Sequence, residues 1–329
     1  MLAISTLSNF HCSLINNLID FSRLEKLTLN FYKLIKKKNI IITGALGQDG
    51  LILSKLFLKK NFKVFGIIKK LKTNSIKGVK YLKIPMENSS ILSKTIKKIN
   101  PNIFIHLGRA NPNFKELKKK YDDKNYHISE NILKHFSINN KKTKIILVGS
   151  AQMYKEIGSE VDINTKFNPQ NAYAKFNIES FLYMKKIKKK FDLNISMAIL
   201  FNHDSLFRNK KFLFPRIVKM IKSNNHKDLK KIYSNNISGD FSHADDICNG
   251  IYRLCLLKSN PDKLIFSSYK RTFINDIINY LLKLTNKDFK FNKTKNKGNK
   301  KKIGNNKITK KILNWKIKKN AFIAAKELI

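Results

Sequence analysis

The chain is 329 residues long, carries 67 Lys plus Arg against 22 Asp plus Glu for a formal net charge of +45, and is 42% hydrophobic, which excludes a chain too polar to bury a core. Its three cysteines, Cys12, Cys248 and Cys255, make no C-x-x-C pair and no even disulfide framework, and no window approaches 18 consecutive apolar residues, so a disulfide scaffold and a membrane span are both set aside. The lysines run along the whole length with no aromatic-interleaved or groove-reading motif beside them, so they read as a solvated surface with no specific nucleic-acid partner, in a reducing, cytoplasmic setting.

Residues 1–38 lack the basic start and small-residue cleavage site of a secretory signal, and they are treated as an extension outside the fold. From Ile40 onward, apolar runs of strand length alternate with segments of helical spacing. Strands are predicted at Ile40 to Thr43, Lys63 to Ile67, Ile103 to Leu107, Lys144 to Gly149 and Asn194 to Leu200. Runs such as IIIT and IILVG show no polar alternation, as expected of strands buried on both faces. Helices are predicted between them at Asp49 to Lys60, Ser89 to Lys98, Asp122 to Ser137 and Ala172 to Lys190. After Phe201 the rhythm breaks into a helix at Phe214 to Lys222, a short apolar return near Lys230 to Tyr233, and helices at Asp245 to Leu257 and Phe273 to Leu284. Lys287 to Lys311 is rich in Lys, Asn and Gly and is expected to be a loosely ordered loop. The fold class expected is α/β: a Rossmann-type doubly wound parallel sheet over 39–200, with a smaller substrate-binding lobe over 201–329.

The first strand runs into Gly44-Ala-Leu-Gly47-Gln48-Asp49-Gly50 and a helix follows. Glycines there permit a tight turn and let backbone amides at a helix N-terminus approach a pyrophosphate, although the spacing is G-x-x-G-x-x-G. At the end of the second strand, where an NAD site usually presents a carboxylate to the ribose, the chain has Lys69 and Lys70. That favours the 2′-phosphate of NADP, with NAD as the alternative. Asp245 and Asp246, at a predicted helix start, read as capping residues and not as a metal pair, and no cluster with metal-ligand spacing is found. His106, His203 and His243 read as structural hydrogen-bonders, and Trp315 as a packing residue.

With TGALGQDG, GSAQMY (149–154), NPQNAY (168–173) and ILFNHDS (199–205), the chain resembles the extended short-chain dehydrogenase/reductases, the NAD-dependent epimerase/dehydratase family, and within it the GDP-mannose 4,6-dehydratases. GDFSHADDI (239–247) and the segment 305–320 extend the resemblance to nearly everything from Asn39 onward. The resemblance implies a lyase that oxidises the sugar at C4, removes a C5 proton, expels water from C6 and returns the hydride. It further implies a nucleotide-sugar substrate, GDP-mannose, and a homo-oligomer. In the roles that it assigns, Tyr173 is the acid/base, Ser150 keeps the hydroxyl of the family's Thr, and Asn202 and Arg216 meet the nucleotide sugar. Gln152 stands where the family has its Glu and Asn177 where it has its Lys, while Gly239 replaces an arginine and KKKIGNN replaces an R-P-x-E segment. An amide cannot accept the C5 proton, and Asn177 brings no charge to the tyrosine. Lys175, two positions along, lies about 200° around the helix from Tyr173 and points away. Two readings stay open: a sugar-nucleotide dehydratase, and a catalytically impaired relative that binds NAD(P) or a nucleotide sugar.

Overall fold

The computed structural model describes residues 37–71, 74–108, 124–139, 141–156, 158–169, 171–291 and 301–329, and Asn39–Ile329 forms one compact unit. The strands are β1 Asn39–Thr43, β2 Lys63–Ile68, β3 Lys80–Lys83, β4 Ile103–His106, β5 Lys144–Ser150, β6 Glu160–Val161, β7 Ile195–Leu200, β8 Asn202–Asp204, β9 Ser238–His243, β10 Lys263–Phe266, β11 Arg271–Phe273 and β12 Ile303–Gly304. The helices are α1 Gln48–Lys59, α2 Ser89–Ile99, α3 Lys124–Ile138, α4 Ala172–Phe191, α5 Leu213–Lys222, α6 His226–Ser234, α7 Ala244–Leu256, α8 Ile274–Leu284, α9 Lys307–Leu313 and α10 Ala321–Lys326.

Seven strands form one parallel sheet in the order β10-β7-β5-β4-β1-β2-β3, the doubly wound order that reverses between β1 and β4. Alternate residues of each central strand enter different cores. Ile40 and Ile42 pack with Leu51, Leu53 and Phe57 of α1 and Ile251 and Leu254 of α7, whereas Ile41 packs with Leu92 and Ile96 of α2, Phe136 of α3 and Met184 of α4. Burial on both faces is why these strands read as unbroken apolar runs. A third core joins α5, α8 and α10 through Phe214, Ile217, Ile277, Leu281 and Ala324. A second sheet, β11-β9-β8, stands beside the first, with β8 and β9 parallel and β9 and β11 antiparallel.

Two expectations are corrected. The apolar return near Lys230 lies inside helix α6, which Asn225 caps by accepting from the Asp228 amide and which Leu229 anchors in the core. Lys287 to Lys311 includes residues 292–300, outside the described residues, but its end is built structure. β12 pairs with β6, and α9 is tied down where Thr309 Oγ1 donates to the Ile265 carbonyl and Asn306 Nδ2 to that of Ser267. Both side chains are fully buried, so the polar composition there marks hydrogen bonds to the main chain and not solvation.

Candidate functional site

The carboxyl ends of β1, β4, β5 and β7 lie side by side, pairing Thr43 with His106 and Ser150 with Leu200. Open α/β sheets bind ligands beyond this edge. Gly44 leaves β1 with φ +67°, in the left-handed region, and an added Cβ would stand 3.0 Å from both Cα and N of Gly108. Gly108, two residues after β4, thus closes directly on the turn, and its amide donates to Thr43 Oγ1 at 2.9 Å. Gly50 is packed more tightly: a Cβ there would lie 2.5 Å from the Gly44 carbonyl oxygen and 2.6 Å from Ala45 Cα. Gly47, extended at φ −79° and ψ 169°, begins α1 with no side chain capping it. The first-turn amides of Gln48, Asp49 and Gly50 have no partner within a helix, and they sit at its positive end. Such a turn fits a pyrophosphate.

The side chains of Gln48 and Asp49 are engaged elsewhere. The Asp49 carboxylate receives His203 Nε2 at 3.0 and 3.1 Å, while His203 Nδ1 meets the Phe201 carbonyl at 2.7 Å. Gln48 Nε2 donates to Asp49 Oδ1 and to the His203 carbonyl, and Ser205 Oγ donates to Gln48 Oε1 at 3.1 Å. GQDG and FNHDS, some 155 residues apart, are therefore one hydrogen-bonded unit. Burial would raise the Asp49 pKa, but the His203 charge and the hydrogen bonds from His203 and Gln48 outweigh it and hold the carboxyl below its ordinary 3.8. Burial likewise works against the His203 imidazolium, and the Asp49 charge and hydrogen bond reverse it, holding the ring above its ordinary 6.5.

Ser150 ends β5 and its Oγ accepts the Gln152 amide at 3.2 Å, capping the short 3-10 turn Ala151–Met153, which packs on α4. Asn171 caps α4 by accepting the Ala174 amide at 2.8 Å, so Tyr173 lies in the first turn of that helix, half-buried. Asn177 is buried and donates from Nδ2 to the Tyr173 carbonyl at 2.7 Å. Lys175 points outward at 66% exposure, beside Glu179. The neighbouring Tyr154 is fully buried, and burial pushes its phenol far up.

Lys69 and Lys70 follow β2 on an exposed bend, and Glu87, a residue the sequence reading did not weigh, comes to 3.6 Å from Lys69. Asn202 is exposed and donates to the Asp240 carbonyl at 3.3 Å, while Arg216 is exposed on α5. Glu156 accepts from both the amide and, at 3.2 Å, the Nζ of Lys302, whose side chain is 5% exposed. An added Cβ at Gly239 would meet Lys301 Cβ at 3.1 Å, so the stem of that lysine covers the glycine.

Asp240 was also missed. Completely buried in β9, it accepts from the Ser268, Tyr269 and Gly304 amides and the Ser268 hydroxyl, and burial pushes its pKa up to about 6 against those four donors. A short polar strand offered no apolar period to find it by. The α7 cap is a correction too. His243, not an aspartate, accepts the Asp245 amide at its Nδ1, which leaves Nε2–H to donate to Glu327 at 3.0 Å. Asp246 instead receives the Lys318 and Lys319 amides at 2.7 Å. Trp315 is buried against Phe266 and donates to the Asp246 carbonyl.

Among the described residues no group of His, Cys, Asp or Glu is placed to hold a metal ion, and no helix is long and apolar enough to cross a membrane. A sequence profile of the family described as GDP-mannose 4,6 dehydratase matches residues 41–319. The chain is 23% identical to the GDP-mannose 4,6 dehydratase of Drosophila melanogaster, over 70% of this chain and 64% of that protein, so it spans less than two thirds of that relative. It is 22% identical to GDP-mannose 4,6 dehydratase 2 of Caenorhabditis elegans, over 74% of this chain and 70% of that one. Among solved structures, the fold matches dTDP-glucose 4,6-dehydratase from Bacillus anthracis in complex with NAD, with a TM-score of 0.74 and 15% identity over 88% of this chain and 95% of that one. It also matches UDP-glucuronic acid 4-epimerase from Bacillus cereus in complex with NAD, with a TM-score of 0.72 and 18% identity over 88% and 98%. With the profile covering most of Asn39–Ile329, the chain belongs to the GDP-mannose 4,6-dehydratase family of extended short-chain dehydrogenase/reductases.

Proposed function

We propose that the chain is a nucleotide-sugar dehydratase, a lyase that acts on GDP-mannose with a nicotinamide dinucleotide, NADP in preference to NAD. The observation that supports this most is the glycine turn, closed by Gly108, at the N-terminus of a helix that no side chain caps. The amides of Gln48, Asp49 and Gly50 would hold the pyrophosphate, with Gly44 and Gly47 leaving room for it. Lys69 and Lys70 would face a 2′-phosphate. The exposed Lys69–Glu87 contact opposes this weakly, since exposed pairs contribute about 1 kcal/mol or less. A bound dinucleotide would supply the reversible hydride acceptor.

In this reading Tyr173 takes the proton of the sugar's 4-hydroxyl, Ser150 hydrogen-bonds the same oxygen, and Asn202 and Arg216 meet the nucleotide sugar. The amide of Asn177 is held by the Tyr173 carbonyl and lends the phenol no positive charge. Gln152 can position the sugar but not remove its C5 proton. Glu156 is paired with Lys302, and His203 with Asp49, so neither offers a ready replacement base. Slow turnover is therefore expected. The second reading, a relative that binds these ligands without turning them over, rests on the same two amides.

The test is incubation of the purified chain with NADP and a panel of nucleotide sugars, with detection of the 4-keto-6-deoxy product. Gln152→Glu combined with Asn177→Lys should raise conversion of GDP-mannose by about 10²-fold or more, the usual contribution of a positioned acid/base. Exchange of the C5 hydrogen in D₂O by the double variant but not the parent would support the missing-base account. Equal exchange in both would overturn it, and turnover of a different nucleotide sugar would overturn the substrate assignment.

A further inference from the structure

The Asp49–His203 contact poses a charge problem. Asp49 lies in the first turn of α1, where amides face the place proposed for a pyrophosphate, and an uncompensated carboxylate there would repel it. The ring of His203 resolves this by geometry. A carbonyl can only accept, so Nδ1 carries a hydrogen toward Phe201, and Nε2 faces two carboxylate oxygens at 3.0 and 3.1 Å, a contact that needs a second proton between ring and carboxylate. With that proton the pair is neutral overall. Without it, a lone pair faces a carboxylate in a buried site, and a full negative charge stands at the helix N-terminus.

We propose that Asp49 and His203 are positioning residues that form a proton-held clamp: one shared proton keeps the cradle turn neutral toward a dinucleotide pyrophosphate and locks that turn to the strand carrying Asn202. The inference rests on the cradle reading of Gly44 to Gly50. Gln48 and Ser205 reinforce the lock with two further hydrogen bonds between the same segments.

The charged surroundings are mixed. Arg208 pairs with Asp204 at 3.0 Å, following β8. It opposes charge on His203 and favours charge on Asp49. His243 of β9 acts on Asp204, and on α7 the buried Cys248 thiol reaches the Asp49 carbonyl at 3.8 Å, with Asp245 nearby. Asp49 is the group that directly contacts the imidazole, so the clamp should release as pH rises above the ordinary His value of 6.5, through the raised value in the fold.

The experiment is calorimetric titration of the full chain with NAD from pH 6 to 9. NAD is chosen because it lacks the 2′-phosphate, which itself titrates near pH 6. The dissociation constant should be flat at the acid end and weaken about tenfold toward the alkaline end, as one negative charge appears near the phosphates. Asp49→Asn, which cannot carry that charge, should abolish the slope and bind at least as tightly. His203→Gln should bind about tenfold more weakly at pH 6.5, and Asp49→Asn in the same chain should restore binding. A retained slope in Asp49→Asn, or no rescue in the double variant, would overturn the clamp while leaving the cradle standing. If His203→Gln does not fold, the slope of Asp49→Asn alone decides. Normal NAD affinity in a folded Gly47→Asp variant would instead remove the cradle reading, and a parent chain that binds no dinucleotide at any pH would remove both.

Discussion

At the scale of single residues, the site depends on which atoms are already taken. A lysine four positions after Tyr173 would return to the same side of α4, but Asn177 turns its amide back onto the Tyr173 carbonyl and is sealed from solvent. Lys175 cannot stand in, because its side chain reaches out to Glu179. The outward direction of Lys175 followed from helical periodicity; the turn of the Asn177 amide onto the Tyr173 carbonyl did not. Gly50 shows what did not. Its place in a G-x-x-G-x-x-G pattern suggested room for a phosphate, whereas its surroundings show that the helix backbone itself leans on the turn, with a methyl group destined for 2.5 Å from a carbonyl oxygen. Gly50→Ala should cost about 1–3 kcal/mol of unfolding free energy by urea titration and weaken dinucleotide binding together with it. Unchanged stability would mean that the turn yields without strain.

At the scale of elements, polarity misled where hydrogen bonds are made over long distances. β9 is buried along its whole length, yet it reads Ser-Gly-Asp-Phe-Ser-His, with no apolar alternation. It is a strand because Asp240 collects donors from the β10–β11 connection and from β12, and because β8 and β11 flank it. Helix α6 hid in a Lys-rich stretch for a related reason: one buried Leu229 and the Asn225 cap carry a helix of only nine residues. By contrast, α1, α4 and α7 were legible from length and apolar spacing, to within a residue or two of their observed ends. The cap of α4 has a functional consequence, because Tyr173 lies in the first turn that it closes. Asn171→Ala removes the acceptor for the Ala174 amide and should cost about 1 kcal/mol of stability. If Tyr173 is the acid/base, fraying of that first turn should lower kcat more than it raises KM. A change confined to KM would place the first turn in binding only.

At the scale of the whole molecule, charge is the dominant unbalanced quantity. A formal net charge of +45 on 329 residues means that most lysines have no acidic partner to meet, and their mutual repulsion opposes the compact state. Raising ionic strength from about 10 mM to about 150 mM shortens the Debye length from about 30 Å to about 8 Å, so the melting temperature should rise by several degrees. An unchanged midpoint in sodium chloride would mean that the lysines are too well solvated to repel measurably. The same repulsion leaves little mark on the fold, because the cores on the two sheet faces are apolar and, of the described lysines, only Lys144 and Lys302 are buried.

Sequence alone determined the parallel sheet, the glycine turn between β1 and α1 and the family likeness, because strands buried on both faces and a glycine turn between strand and helix leave local signatures that need no knowledge of distant neighbours. Only the tertiary structure decided that Gln48 and Asp49 spend their side chains on Ser205 and His203, that Glu156 is taken by Lys302, and that His243 caps α7. Each of those facts is a polar contact between segments distant in sequence or a choice between neighbouring caps. Hydrogen bonds of this kind depend on angles and distances of a few ångströms that no spacing along the chain encodes.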